Sequence, residues 1–274
     1  MDILLRHHVT TYGSGTQPIV FAHGFGTDQH TWRHVAPAFA NQYRVILFDW
    51  VGAGQSDKSA YDFTRYSSLE GYASDLIELL RELQLPKVIF VGHSVGGMIG
   101  LLAAIRAPEL FERLVLVAAS PCYVNHDNYA GGFEPGDLEE LLGFLDRDYR
   151  AWSSMLVPSI VGGDMRPELL DELLTSFNSV EHAIARQFAR ATFLSDHRSD
   201  LPKLHVPTLV VQCADDSVAP AAVGEYMHER LAGSALNILD TSGHYPHLNA
   251  PVATIAALEN YLRPVNDSVS TTTV

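Results

Sequence analysis

At 274 residues, with 47% hydrophobic and 18% charged residues, the chain has ample material for a buried core and a composition unlike that of a disordered protein. Its formal net charge of −14 argues against nucleic acid and anionic membrane surfaces as partners, because both are polyanions. The two cysteines, Cys122 and Cys213, form no CxxC pair, so neither a disulfide framework nor a zinc site is expected.

The opening residues, Met1-Asp2-Ile3-Leu4-Leu5-Arg6-His7-His8, lack a basic region followed by an apolar one, and no apolar run approaches transmembrane length. A cytoplasmic protein is therefore expected. Residues 3–12 read as a strand closed by Gly13-Ser14-Gly15, and residues 18–22 as a second, buried strand leading into His23-Gly24-Phe25-Gly26. Residues 32–39 suggest a helix. Residues 44–48 form a third strand pattern, which ends in Asp49-Trp50-Val51-Gly52-Ala53-Gly54-Gln55-Ser56-Asp57. An amphipathic helix over 69–83 carries Tyr72, Leu76, Leu79 and Leu80 on one face. Next come a wholly apolar strand over 88–91, a helix after Gly97, and a strand over 114–117. Strands alternating with helices at this spacing specify an α/β fold with a doubly wound, mainly parallel sheet.

After Pro121 the alternation stops. Three apolar stripes at helical spacing run through Leu138, Leu141, Leu142 and Leu145, through Leu169, Leu170, Leu173 and Leu174, and through Ile184, Phe188 and Ala191. They describe a helical insertion up to about residue 201. Alternation resumes with a strand at 208–212, a helix at 221–231, a strand at 236–239 and a last helix at 252–262. The predicted organisation is a core of residues 1–120 and 202–265, a helical lid of 121–201, and a polar, flexible tail of 266–274.

Chemistry concentrates at Gly92-His93-Ser94-Val95-Gly96, where a strand meets a helix. Glycines two positions either side of a serine fit a turn too sharp for larger residues, which lifts the hydroxyl off the sheet toward the first amides of the helix. A serine hydroxyl attacks only when a base takes its proton and an acid orients that base. In this topology the acid follows a strand beyond the insertion, where Asp215 and Asp216 are adjacent candidates, and the base follows the next strand, where His244 stands. His247 is its near competitor and is expected to shape the loop. Two backbone amides must face the developing oxyanion; Val95 and Phe25 are the predicted pair. Gly52-x-Gly54 lacks a third glycine, with Asp57 in its place, so no dinucleotide site is expected. The thirteen histidines show no metal-ligand spacing, so neither a metal nor a cofactor is expected.

Together, the Ser94 turn, His23-Gly24-Phe25-Gly26, the Asp49 to Asp57 run and Gly243-His244 resemble the α/β-hydrolase superfamily. Finer motifs, among them Ser120-Pro121-Cys122-Tyr123, Gly131-Gly132-Phe133-Glu134, Phe193-Leu194-Ser195-Asp196-His197-Arg198 and His244-Tyr245-Pro246-His247, are similar to the RsbQ-type stress-response regulators and, more distantly, to the plant karrikin and strigolactone receptors. The resemblance implies an α/β-hydrolase fold with four lid helices inserted before the acid-bearing strand. It implies a Ser94-His244-Asp216 triad, because an aspartate four residues before a proline matches Asp216 and Pro220. It also implies a pocket that includes Phe25, His93, Tyr123, Phe133, Leu156 and Phe193, made roomier where Leu156 replaces a plant aromatic. The implied activity is a serine esterase or lactonase acting on a small, largely apolar ligand. The alternative is a slow, receptor-like hydrolase that docks a regulatory protein at its lid, for which the acidic stretch of Glu134, Asp137, Glu139 and Glu140 is a candidate surface beside its plainer reading as a solvated helix face.

Overall fold

The computed structural model describes residues 2–162 and 166–263. Seven strands, β1 (Thr10–Tyr12), β2 (Gln17–Ala22), β3 (Tyr43–Phe48), β4 (Val88–His93), β5 (Phe111–Val117), β6 (Thr208–Asp215) and β7 (Ala235–Ser242), form one sheet in the order β1-β3-β2-β4-β5-β6-β7. Only β1 runs antiparallel. The helices are α1 (Ile3–Arg6), α2 (Leu69–Glu82), α3 (Val95–Arg106), α4 (Pro135–Arg147), α5 (Tyr149–Ile160), α6 (Pro167–Ser179), α7 (His182–Phe193), α8 (Ala221–Arg230), α9 (Pro246–Asn249) and α10 (Pro251–Leu262).

Side chains alternate across a strand, so each apolar strand feeds two cores. Val20, Ile46, Phe90 and Leu116 face α2, α3 and α8; Ile19, Val45, Val91 and Val117 face α10, Trp32 and Phe39. This explains why the central strands read as unbroken apolar runs rather than as alternating ones. β4 lies mid-sheet, so the residue after His93 emerges at the carboxyl edge, flanked by the loops that follow β2, β6 and β7.

The first expected strand is largely replaced. Residues 3–6 form a helical turn, capped by Asp2 accepting from the Leu4 amide at 2.8 Å, and Arg6 pairs with Asp75 and Glu78 of α2. Ile3 and Leu4 thus pack sideways on the core, and only Thr10–Tyr12 pairs with β3. The helix expected over 32–39 splits into 3-10 turns at Gln29–Trp32 and Ala36–Phe39. Pro37 begins the second turn and has no amide to continue a helix from the first.

Helices α4 to α7 lie between β5 and β6. The three apolar stripes belong to α4, α6 and α7, and the fourth helix, α5, buries Tyr149, Trp152, Ser153, Leu156, Val157 and Ile160 at clean helical spacing. These helices cover the carboxyl edge of the sheet: Trp152, Phe177 and Phe188 pack their rings 5.7–6.1 Å from that of Phe25 in the loop after β2. The tail expected at 266–274 lies outside the described residues.

Candidate active site

Ser94 sits between β4 and α3 with φ 53° and ψ −127°, a conformation that an L-residue adopts only when its surroundings impose it. Those surroundings are the glycines. A Cβ at Gly92 would lie 2.6 Å from the Gly96 carbonyl oxygen, and one at Gly96 would lie 2.4 Å from that of His23. Backbone meets backbone there, so nothing can yield. Replacing Gly96 with Ala is expected to destabilise the fold by roughly 2–3 kcal/mol, which thermal unfolding would read as a fall of about 5–10 °C.

Three loops converge on this turn. His244 Nε2 lies 2.9 Å from Ser94 Oγ, and its Nδ1 lies 2.8 Å from Asp216 Oδ2. With Nδ1–H donating to the carboxylate, Nε2 is the lone-pair nitrogen that accepts from the serine hydroxyl. The other Asp216 oxygen accepts from the amides of Val218 and Ala219 at 2.8 and 3.1 Å, which locks the carboxylate. Asp215 is solvent-exposed and contributes only its carbonyl, to the Gly243 amide at 2.7 Å. All three side chains of the Ser94–His244–Asp216 chain are buried.

The histidine loop is held from both sides. The His244 amide donates to Ile160 at the end of α5 (2.7 Å), and its carbonyl accepts from His93 Nε2–H (2.8 Å). His93 therefore braces the loop as well as lining the pocket. Burial and the neighbouring His247 and His244 rings push the pKa of His93 far below its ordinary value, so it stays neutral. His247 is wholly buried, stacks on Trp32 at 4.4 Å and has neither ring nitrogen hydrogen-bonded among the described residues; burial pushes its pKa down to about 3. It supports the loop and lies away from Ser94.

The loop after β2 comes close to Ser94: a Cβ on Gly24 would sit 3.3 Å from the serine Cβ. Its shape is fixed by Asp49, which accepts from the Gln29 and Gln55 amides at 2.8 and 2.9 Å, and by His23. The His23 ring donates from Nδ1 to the Gly24 carbonyl and accepts the Trp50 amide at Nε2. This gives the Asp49 to Asp57 run a structural role. Among the described residues, neither the Phe25 amide nor the Val95 amide donates to a protein acceptor. Val95 is the first residue of α3, where an unpaired amide is the rule.

These groups open on a cavity of about 20 Å³ whose lining is mainly apolar. Phe25, His93, Tyr123, Phe133, Leu156 and Phe193 all line it, joined by Ile160, Phe177, Thr192, Val218 and Tyr245. Of the added residues, Phe177 and Thr192 lie on the α6 and α7 segments and Tyr245 follows His244, but which neighbours turn inward depends on helix placement that the sequence does not set. Phe177 and Phe193 pack against Phe25 at 5.8 and 6.2 Å on the cavity that Leu156 also lines. The only described group of side chains close enough to share a metal ion is Cys122, His126 and Asp196, within 4.8 Å of one another at the base of the helical insertion. The Arg198 guanidinium already grips that aspartate at 2.6 and 2.9 Å, and burial raises the Cys122 thiol pKa; both oppose cation binding.

A family model described as the alpha/beta hydrolase fold matches residues 17–251. Among curated proteins, the Karrikin insensitive 2 receptor CA of Petunia hybrida is 42% identical over 93% of this chain and 95% of its own length. The Strigolactone esterase RMS3 of Pisum sativum is also 42% identical, over 91% and 94%. Among solved structures, a hydrolase from Oleispira antarctica superposes with a TM-score of 0.93 at 39% identity, covering 95% of this chain and 96% of that one. No described helix is long and apolar enough to cross a membrane. Sheet topology, serine turn and relatives agree: the chain belongs to the alpha/beta hydrolase family.

Proposed function

We propose that this hydrolase cleaves a small, largely apolar carboxylic ester or lactone through an acyl-enzyme intermediate on Ser94. The observation that carries the reading is the continuous Ser94–His244–Asp216 hydrogen-bond chain, whose serine and histidine line a mainly apolar cavity. His244 takes the serine proton as Oγ attacks the carbonyl and then delivers it to the leaving alcohol; Asp216 holds the imidazole in the tautomer this needs. The Phe25 and Val95 amides are the donors available to the oxyanion. Water then attacks the acyl group by the same route.

A fluorophosphonate probe tests this directly, because it labels only serines that an adjacent base activates. Peptide mass spectrometry is expected to find one adduct, on Ser94, and none in Ser94→Ala. An unlabelled wild-type protein, or an adduct on another serine, would overturn the reading. The printed names of the relatives, a receptor and a strigolactone esterase, favour a second version in which slow turnover at the same serine is coupled to docking a regulatory protein on α4 to α7.

A further inference from the structure

We propose that Tyr123 and Thr192 form a hydrogen-bonding subsite that selects substrates with an acceptor oxygen within the acyl portion, such as an alkoxy or lactone ring oxygen, over all-carbon isosteres. The inference rests on the ester or lactone hydrolase reading above and narrows its substrate class.

Thr192 lies in the last turn of α7 and is 1% exposed. A helical threonine ordinarily returns its hydroxyl to the carbonyl four residues back. The two other threonines inside α-helices do so: Thr175 to Asp171 at 2.8 Å and Thr254 to Ala250 at 3.1 Å. Thr192 does not; among the described residues its Oγ1 has no partner. Tyr123, 2% exposed, likewise has an unpartnered hydroxyl, close to Ser94 but short of hydrogen-bond geometry with it. Among the described residues three buried hydroxyls lack partners, those of Tyr123, Thr192 and Tyr261, and the first two line the same cavity; such groups are costly to desolvate.

Both residues line the one cavity that contains Ser94 and His244. Both hydroxyls therefore share one cavity with the serine and histidine, so an acyl group carried on Ser94 occupies the space that they line. Each is a donor that can swing onto an acceptor lone pair. Apart from Ser94, His244, Tyr245 and His93, whose Nε2 is taken up by the His244 carbonyl, the remaining lining (Phe25, Phe133, Leu156, Ile160, Phe177, Phe193, Val218) offers no side-chain hydrogen-bonding group. An acyl group that brings an acceptor oxygen into this space offers these hydroxyls a partner, whereas its methylene counterpart leaves them stranded. Sites built to bond a polar group discriminate strongly for that reason.

The test compares kcat/KM for 4-nitrophenyl methoxyacetate and 4-nitrophenyl butyrate, which differ by one oxygen for one methylene, in wild type, Thr192→Val, Thr192→Ser and Tyr123→Phe. Intrinsic ester reactivity cancels when the ratio is compared between proteins. The methoxyacetate-to-butyrate ratio is expected to fall about 5–10-fold in Thr192→Val and in Tyr123→Phe, and to be retained in Thr192→Ser. A purely packing role would move both substrates together; turnover with an unchanged ratio overturns the subsite. Binding of tetrahydrofuran and cyclopentane to Ser94→Ala, followed by ligand-observed NMR, gives a readout independent of turnover. Preference for tetrahydrofuran that disappears with Thr192→Val supports the subsite even if neither ester is hydrolysed, an outcome that would instead sink the hydrolase reading. No preference for tetrahydrofuran overturns the subsite itself.

Discussion

Asp216→Asn is expected to lower kcat/KM for an activated ester by about 10⁴, while Asp215→Asn leaves it within about threefold. The two aspartates are adjacent in sequence, so composition and net charge change identically, and only geometry separates them. Asp216 accepts Nδ1–H of His244 at 2.8 Å, and its second oxygen is fixed by two amides. An asparagine can present its NH₂ to Nδ1, which drives the ring into the tautomer whose Nε2 carries the proton and cannot accept from Ser94. Asp215 is exposed and works through its backbone carbonyl, which the substitution keeps. Ser94→Ala in the same assay is expected to lose at least about 10³-fold. Steady-state turnover with matched circular dichroism decides the matter: equal losses in the two aspartate variants would show that the hydrogen bond to His244 is not what the reaction uses.

That pair of residues marks where the sequence stops being explicit. Spacing past a strand narrows the acid to Asp215 or Asp216, and the period of a strand puts them on opposite sides, but which side faces His244 depends on the register irregularity between Cys213 and Asp215. The central strands were legible because burial on both faces leaves unbroken apolar runs. The Ser94 turn was legible because Gly92 and Gly96 admit no side chain. By contrast, α5 combines Tyr149, Trp152 and Ser153 with an internal Pro158, so its buried stripe is mixed in chemistry although regular in spacing. Residues 3–6 look strand-like, yet Arg6 and Asp75, 69 positions apart, pull them into a turn against α2; no local pattern encodes that pairing. The orphaned Thr192 hydroxyl is invisible for the same reason, since its missing bond is a fact of packing.

Acid is expected to destabilise this protein before its carboxylates titrate. Three histidines, His23, His93 and His247, are buried and held neutral, with pKa values pushed down chiefly by desolvation. Geometry gives independent reasons at two of them: His23 Nε2 accepts an amide, so it cannot also carry a proton, and His247 stacks on Trp32 with no hydrogen-bond partner for a new one. In the unfolded chain each would take up a proton near its ordinary pKa of about 6.5. Below that pH the unfolded state binds more protons than the folded one, so stability falls as pH falls; for His247 the loss continues down to its folded value of about 3. Between those two values His247 contributes about 1.4 kcal/mol per pH unit. At pH 5 His247 alone removes about 2 kcal/mol, and His23 and His93 act in the same direction. Asp75, whose neighbours His7, Tyr66 and Arg65 lower its pKa, adds its own loss only below about 3.8 and so does not blur this window. Calorimetry between pH 7.5 and 5 is expected to show Tm falling, by about 4–8 °C from His247 alone. His247→Phe, which keeps an aromatic ring on Trp32 but cannot titrate, is expected to reduce the slope of stability against pH by about 1.4 kcal/mol per pH unit, whatever it does to Tm at pH 7.5. A flat Tm across this range, or a slope unchanged in His247→Phe, would mean that the buried rings accept protons in the folded state and that their apolar cage opens to let them.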